Sequence, residues 1–451
     1  MTQILLVVAV LPFVAVLLVL GFRAPLRVLL PAFALFVPFG SAFALPGLPP
    51  RYSSLSSLLM LALILGIGAK LVSGRWQPAP VETVIAVWSL FLGVTCATIF
   101  WSRDSSATLT TFIPFAGVVV LYVLVRLSPV DATTVRRTER AILVGGVAAA
   151  TYGIYQLATS SLPTGDQGAA RFGRDLLDPN HTATALTLPL AIALGRIISS
   201  RRTSERMACF GVVLLLLVAI VLTGSRGGLL STMAVFVVVL ALSRHRVAAL
   251  VTGSTVVLLL VAILALNPAL IPPRLASDDS SGRTDIWTVG IAACGTYCGA
   301  GSGWGTFGDV YADTLPTVPQ AGITASGVRF EPHNIWLLAA VETGLVGAVL
   351  MTVGLALALR EAFRLPVGRR GPPLGALAGL LLSGFLLSNL EYKYFWMVLI
   401  YAGLGVRVDR SGTDIADTTP DAAEPETMAN GDTPGLSSTT ARPLSRSWGD
   451  R

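Results

Sequence analysis

The chain has 451 residues, of which 53% are hydrophobic and only 13% are charged. A soluble domain carries about a quarter charged residues, so the composition excludes an ordinary soluble protein. The net charge of +7 does not indicate nucleic-acid binding, because most arginines lie in short loops between apolar runs. Such arginines are typical topology signals of membrane proteins. The apolar runs are too long for barrel strands and do not alternate, so we expect an all-α polytopic bundle.

Crossing a bilayer takes about 20 apolar residues, and runs of this kind recur along the whole chain. The N-terminal run has no basic region before it and no convincing cleavage site after it, so we interpret it as a retained helix. The sequence predicts 12 to 13 spans, at residues 3–21, 27–45, 55–73, 82–101, 106–126, 140–159, 179–198, 208–223, 228–243, 247–266, 333–359, 373–389 and 394–407.

Basic residues divide the loops between these spans into two sets. Twenty fall in one alternating set of loops and nine in the other. Because short cytoplasmic loops are basic, the first set is predicted to face the cytoplasm. The large loop 267–332 then faces outward from a membrane domain covering 1–407, and residues 408–451 form a cytoplasmic tail. The tail has few large apolar residues, so we expect it to be disordered.

Arg226 is the first candidate site residue, in the short outer turn Gly224–Gly228. It is either an interfacial anchor that reaches water or part of a phosphate site. Its neighbour Ser225 and the start of the next helix favour the phosphate site, because free N–H groups and the positive end of the helix dipole point outward there.

His333 and Asn334 open another span on the same predicted side. They are either ordinary helix-end residues, with Asn334 as a cap, or a catalytic base and its neighbour, because histidine titrates near neutral pH. Asp178 and Pro179 suit a helix start by themselves. Asn180 and His181, which follow them, remain as candidate contacts to a sugar or a phosphate.

Arg283 lies in the outer loop and is either a solvated charge or a second phosphate clamp. Ser281 is expected to cap a short helix there, with a partly apolar side suited to the bilayer surface. The glycine-rich segment 299–308 lacks the lysine of a phosphate-binding loop. We interpret it as a flexible loop whose Trp304 meets a sugar.

Glu342 lies inside a predicted span, where a carboxylate is costly and is a functional candidate by default. Its position on the face opposite to His333 favours a structural partner over catalysis. Cys294 and Cys298 are placed to form a disulfide or to stay reduced, and the spacing does not decide between the two. No cluster of His, Cys and carboxylate residues has the spacing of a metal site, so we expect no metal and no cofactor.

The chain resembles the O-antigen ligase and O-antigen polymerase superfamily of bacterial membrane glycosyltransferases in several short motifs that occur in the same order. These are Phe100-Trp101-Ser102-Arg103-Asp104, Asp178-Pro179-Asn180, Leu222–Gly228, Gly282-Arg283 with Trp287, the glycine-rich stretch 301–308, Pro332-His333-Asn334 and Glu342-Thr343-Gly344. The resemblance implies a fold related to type C glycosyltransferases, a polyprenyl diphosphate-linked glycan donor, and catalysis without a metal or a nucleotide. It also implies that Arg226, Arg283 and His333 are functional residues.

We therefore expect a multi-pass enzyme of the inner or plasma membrane with its active site on the extracytoplasmic face. It would transfer a glycan from the lipid carrier to a hydroxyl of a glycan, lipid or protein. The sequence leaves open whether it is a ligase, a polymerase or a protein-glycosylating enzyme. A transporter or flippase of lipid-linked sugars is the alternative, and it requires ionisable groups or broken helices near the membrane midplane.

Overall fold

The structure is a computed structural model that describes residues 21–40, 42–44, 53–159, 177–272, 282–319 and 329–417, with a few single positions between these ranges. Within these ranges the fold is all-α, and the one β-bridge joins Ala44 to Ser54. The helices are α1 (Pro25–Phe36), α2 (Leu55–Val72), α3 (Thr83–Ala97), α4 (Ser105–Leu127), α5 (Ala132–Thr159), α6 (Pro179–Ala185), α7 (Thr187–Ser199), α8 (Thr203–Leu222), α9 (Arg226–Ala241), α10 (Arg246–Leu266), α11 (Arg283–Tyr297), α12 (Phe307–Thr314), α13 (Ile335–Phe363), α14 (Gly371–Gly384) and α15 (Lys393–Asp417).

Eight helical segments in the described part of the chain are long and apolar enough to cross a membrane. Shorter apolar helices include α9 and α14. Lipid-facing side chains are evident on α10, where Leu250, Val251 and Leu258 are more than 60% exposed. The prediction of an all-α polytopic membrane protein is therefore confirmed. Each predicted span from 27–45 onward overlaps a described helix, whereas the first, 3–21, lies almost wholly outside the described residues.

The core of the bundle is aromatic at its centre. Trp88 and Trp396 meet edge to face with ring centroids 4.9 Å apart, and Phe115 lies 4.5 Å from Trp304. All four side chains are at most 1% exposed. Large rings fill the space where helices from distant parts of the sequence converge.

Ion pairs show which loops share an end of the bundle. Arg27 pairs with Asp131, and Arg196 pairs with Glu139, within the arginine-rich set of loops. Arg103 pairs with Asp313 in the other set. These salt bridges, and those of Arg126 and Glu205, join loops that the basic-residue pattern assigns to the same side.

Helix α11 corrects one expectation about the outer loop. The predicted apolar side was to lie on the bilayer, but Ile286, Val289 and Ala293 are buried against protein. A Cβ added at Gly290 would lie 2.7 Å from Leu337 on α13, so the two helices are in close contact. The proposed cap Ser281 lies outside the described residues. Cys294 and Cys298 at the end of α11 form a disulfide.

The end of the last helix also differs from its predicted boundary. Helix α15 continues to Asp417, past residue 407, where the sequence was expected to change to a disordered tail. Residues 160–176 and 418–451 lie outside the described residues. The chain forms one compact unit to Arg410, and residues 411–451 form a second.

Candidate active site

His333 lies between the outer loop and α13, and the residues on both sides of it are fixed. Trp287 on α11 donates from its indole nitrogen to the carbonyl of Pro332 at 2.8 Å. The side-chain oxygen of Asn334 accepts hydrogen bonds from the backbone of Trp336 and Leu337 at 3.0 Å each. The backbone of His333 itself has φ of 48°, a left-handed conformation that is uncommon for a residue with a side chain. The imidazole is thus held in a defined direction.

The imidazole of His333 shares its surroundings with one cation and one carboxylate. Burial lowers the pKa of His333, the guanidinium of Arg283 at the start of α11 lowers it further, and Asp178 before α6 raises it. The Nδ1 atom of His333 is buried and has no hydrogen-bond partner among the described residues. Because buried polar atoms normally have a partner, this nitrogen is placed to meet a group beyond the described residues.

His181 on α6 belongs to the same group of side chains. Its Nδ1 lies 2.8 Å from the hydroxyl of Tyr394, and its ring stacks on Tyr392 with centroids 3.9 Å apart. It also interacts electrostatically with His333 and Asp178. The two tyrosines come from the loop between α14 and α15 and from the start of α15. Two histidines predicted as site residues are therefore brought together from segments far apart in sequence.

Arg226 is the first residue of α9, and the start of α9 packs against α6, which carries His181, and against the loop after α14. A Cβ added at Gly228 would lie 2.3 Å from the Cβ of Ala183 on α6, so only glycine permits this approach. A Cβ added at Gly227 would lie 3.2 Å from Leu386. The neighbour of Leu386, Phe385, stacks on Trp336 of α13 at 3.9 Å. Arg226 thus lies at the same end of the bundle as His181 and His333.

Three other residues that were predicted to bind substrate form hydrogen bonds within the protein. Ser225 caps α9, where its hydroxyl accepts from the backbone of Gly228 at 3.0 Å. Asn334 caps α13, as described above. The side-chain amide of Asn180 donates to Asp178 at 3.0 Å. These polar groups shape the helix starts, and the structure assigns them local partners.

The prediction that Trp304 meets a sugar is wrong, because its side chain has no exposed surface and packs against Phe115. The predicted flexible loop around it is also well anchored. Both carboxylate oxygens of Glu342 accept hydrogen bonds from this loop, from the backbone of Gly305 and of Phe307, each at 2.9 Å. Glu342 therefore has a structural partner, as expected, and this partner is the glycine-rich loop together with the start of α12.

Helix α13 is broken at Gly344, where φ is 73° and ψ is 178°. The glycine-rich loop fills the break. Its Ser302 and Gly303 donate backbone hydrogen bonds to the carbonyls of Val341 and Glu342 at 2.8 and 3.0 Å. On the other side of the break, Leu345 donates to the carbonyl of Cys298 at 2.8 Å. The outer loop is therefore locked to the helix that begins just after His333.

A comparison with known families bears on this arrangement. Residues 211–352 match the family model described as O-antigen ligase.

This segment is thus similar to the O-antigen ligase family.

This match supports, broadly, an O-antigen ligase-like glycosyltransferase of the membrane. A comparison with curated proteins found no match.

We refer to His181 and His333, with their neighbours Asp178, Arg283, Tyr392 and Tyr394, as the histidine group. The O-antigen ligase segment contains Arg226, Arg283 and His333 but not the other members of this group. Asp178 and His181 precede it, and Tyr392 and Tyr394 follow it. Sequence reasoning took Asp178 only for a helix cap and did not identify the two tyrosines. The available signal was the polar stretch Asn389–Tyr394, which interrupts two apolar runs at the same predicted side of the membrane.

Two further ionisable side chains, Glu331 and Tyr392, lie near Asp178 and have raised pKa values. The pKa of Glu331 is raised by desolvation and by the carboxylate of Asp178. The pKa of Tyr392 is raised by burial and then by Glu331 and Asp178. Within the described ranges, no three His, Cys, Asp or Glu side chains are grouped as metal ligands.

Proposed function

We propose that the protein transfers a glycan from a polyprenyl diphosphate carrier to a hydroxyl acceptor on the extracytoplasmic face of the inner or plasma membrane. The observation that carries this proposal is the electrostatic grouping of Arg283, His333 and Asp178, with His181 beside them. The start of α9, with Arg226, packs on α6, which carries His181.

The two arginines are suited to the diphosphate. Arg226 opens a 16-residue helix, so its guanidinium adds to the positive end of the helix dipole. Arg283 opens α11 in the same way. Guanidinium groups bind phosphate oxygens in a bidentate manner. Arg226 and Arg283 would both stabilise the negative charge that grows on the leaving diphosphate.

His333 is suited to the acceptor hydroxyl. Its lowered pKa keeps the imidazole neutral at neutral pH, and its buried Nδ1 has no partner in the described chain. The acceptor oxygen would form a new bond to the anomeric carbon as the bond to the diphosphate breaks. The hydroxyl proton would pass to His333. Attack from the side opposite to the diphosphate inverts the anomeric carbon.

The predicted topology supports a lipid-linked donor. The site end is the end with few basic loop residues, which the charge rule places outside. Nucleotide sugars are not available there, so the donor must carry its own activated bond. A polyprenyl diphosphate does so, and its tail dissolves in the bilayer beside the bundle.

A transporter of lipid-linked sugars is the alternative, and a broken helix would favour it. The break in α13 at Gly344 does not provide an open site, because the glycine-rich loop occupies its freed carbonyls. Both oxygens of Glu342 also have partners. Purified protein that converts donor to product without any ion gradient would decide for the enzyme.

The direct experiment replaces Arg226 or His333 with alanine in cells that make the glycan. We expect loss of the transferred glycan and accumulation of the lipid-linked donor. Arg329→Ala is the matched control, because Arg329 lies in the same outer loop, pairs with Asp309 and is 71% exposed. Normal product in the Arg226→Ala and His333→Ala strains, with no donor build-up, would reject the proposal.

The accumulated donor would also narrow the reaction class. A donor with a single repeat unit indicates a polymerase, whereas a donor with long chains indicates a ligase for a glycan, lipid or protein acceptor. The lipid extract of the His333→Ala strain, analysed by mass spectrometry, gives this answer in the same experiment.

A further inference from the structure

The arginine-rich end of the bundle contains a cavity of about 520 Å³. Its walls come from α5, α7, α9, α14 and α15 and from the loops that follow α9 and α13. None of its lining residues belongs to the histidine group or to the starts of α9, α11 and α13. It is therefore separate from the candidate active site, and its size is that of a small-molecule site.

The floor of this cavity is apolar. Ile192, Val239, Leu365 and Pro372 contribute to it. A Cβ added at Gly195 would lie 2.3 Å from the ring of Pro372, so α7 and α14 are in close contact beneath it. Such a floor binds the hydrocarbon part of a ligand rather than a polar one.

The rim of the cavity is cationic. Arg136, Arg196, Arg244 and Arg369 line it, and Glu139 is the one carboxylate among the lining residues that the structure describes. That carboxylate has partners inside the protein, since it accepts from Arg196 at 3.0 Å and from the hydroxyl of Tyr401 at 3.3 Å. Arg136 and Arg244 add positive charge to the rim beyond the Arg196–Glu139 pair.

A ligand for this cavity needs an anionic head and an apolar body. Guanidinium groups match phosphate oxygens in geometry and charge. Basic pockets between transmembrane helices bind the headgroups of anionic lipids in this way. We propose that the cavity binds an anionic phospholipid, with its phosphate at the arginine rim and the start of an acyl chain on the apolar floor.

The test uses the purified full-length protein in neutral detergent. Phosphatidylglycerol, phosphatidylcholine and inorganic phosphate are added separately, and bound lipid is counted by native mass spectrometry while thermal unfolding is followed in parallel. We expect phosphatidylglycerol alone to bind and to raise the melting temperature. In the double variant Arg136→Gln, Arg244→Gln, the affinity should fall by roughly 10- to 30-fold.

The matched control is Arg201→Gln with Arg364→Gln. These arginines are exposed at the same end of the bundle but do not line the cavity, and we expect wild-type binding. An equal loss in both double variants would show a general surface attraction and overturn the proposal. Equal stabilisation by phosphatidylcholine or by inorganic phosphate would overturn it as well.

A second measurement does not depend on arginine variants. Ser243 lines the cavity, whereas Ser204 lies on the exposed start of α8. In a Cys96→Ser background, a cysteine placed at 243 should react with a water-soluble thiol reagent and be protected by phosphatidylglycerol. A cysteine at 204 should react equally with and without the lipid. Equal labelling of position 243 in both conditions would contradict lipid binding in the cavity.

Discussion

The indole nitrogen of Trp287 donates to the carbonyl of Pro332 at 2.8 Å, directly before His333. Trp287 lies on α11, and α11 begins at Arg283. One helix therefore carries a candidate phosphate ligand and also fixes the backbone of the candidate base. The separation between guanidinium and imidazole is set by a helix that packs on α13, rather than by a loose loop.

Replacing Trp287 with phenylalanine should slow the reaction without unfolding the protein. The ring still packs, but the hydrogen bond to Pro332 is lost and His333 is less well oriented. We expect kcat to fall roughly 10- to 100-fold. The matched control is Trp101→Phe, which removes an indole bond to Ala300 on the same end of the bundle. Equal loss of kcat in the two variants would argue against a positioning role for Trp287.

The pH dependence of the reaction should respond to Arg283 and Asp178 in opposite directions. The proposed base, His333, can accept a proton only when it is neutral, so we expect activity to be lost as pH falls through its pKa. Burial and then Arg283 lower this pKa, so the acid limb should lie below the ordinary imidazole value of about 6.5. Arg283→Gln removes the cation and should move the limb to higher pH, whereas Asp178→Asn should move it to lower pH.

Initial rates across the pH range, each normalised to the variant's own maximum, measure this effect separately from a loss of binding. Asparagine is also a good helix cap, so Asp178→Asn preserves the start of α6. Shifts of the same sign in both variants would contradict the proposed electrostatic coupling to His333.

Glu342 should stabilise the outer loop measurably. In Glu342→Gln, one of the two backbone N–H groups of Gly305 and Phe307 loses its acceptor. A buried donor left without an acceptor costs about 1–3 kcal/mol, and we expect the free energy of unfolding to fall by this amount. Protease cleavage between 298 and 307 should become faster. Glu205→Gln, with a 41% exposed carboxylate, should cost no more than about 1 kcal/mol.

Arg126 is the strongest expected stability determinant at the other end of the bundle. It is only 2% exposed and pairs with Glu82 and with Glu361, the latter at 2.9 Å. Arg126→Met leaves two largely buried carboxylates without their cation, which should cost about 3–5 kcal/mol. Arg27→Met removes an exposed pair with Asp131 and should cost about 1 kcal/mol or less. Thermal unfolding of both variants measures the loss of stability. A similar loss in Arg126→Met and Arg27→Met would contradict the prediction that the buried ion pairs contribute more.

Stability of the arginine-rich end should also depend on acid pH through Asp131. Hydrogen bonds from Thr134, and then Arg27, lower the pKa of Asp131 to about 2. Its contribution is therefore complete above the ordinary aspartate pKa of about 3.9 and is lost as pH falls towards 2. Wild type and Asp131→Asn should differ in melting temperature at neutral pH and converge in strong acid. A constant difference across this range would contradict the assignment.

The sequence predicted part of the candidate site and missed part of it. Arg226, Arg283 and His333 each stand out because a charged or titratable residue beside an apolar run is unusual, and the structure places them at one end of the bundle. Tyr392 and Tyr394 do not stand out, since tyrosine is common near membrane interfaces. The prediction for Trp304 was wrong because a glycine-rich segment is typical of a flexible loop. The break in α13 that anchors this segment cannot be recognised from the sequence.

By itself, the sequence determined the membrane class, the approximate spans and the division of loops into two ends. These are local properties, since about 20 apolar residues and the basic residues beside them define a span and its orientation. Only the tertiary structure decided that α11 packs on α13, that Glu342 holds the glycine-rich loop and that His181 meets Tyr394. Each of these depends on residues that are distant in the chain and are brought into contact by packing, for which a single sequence has no periodic signal.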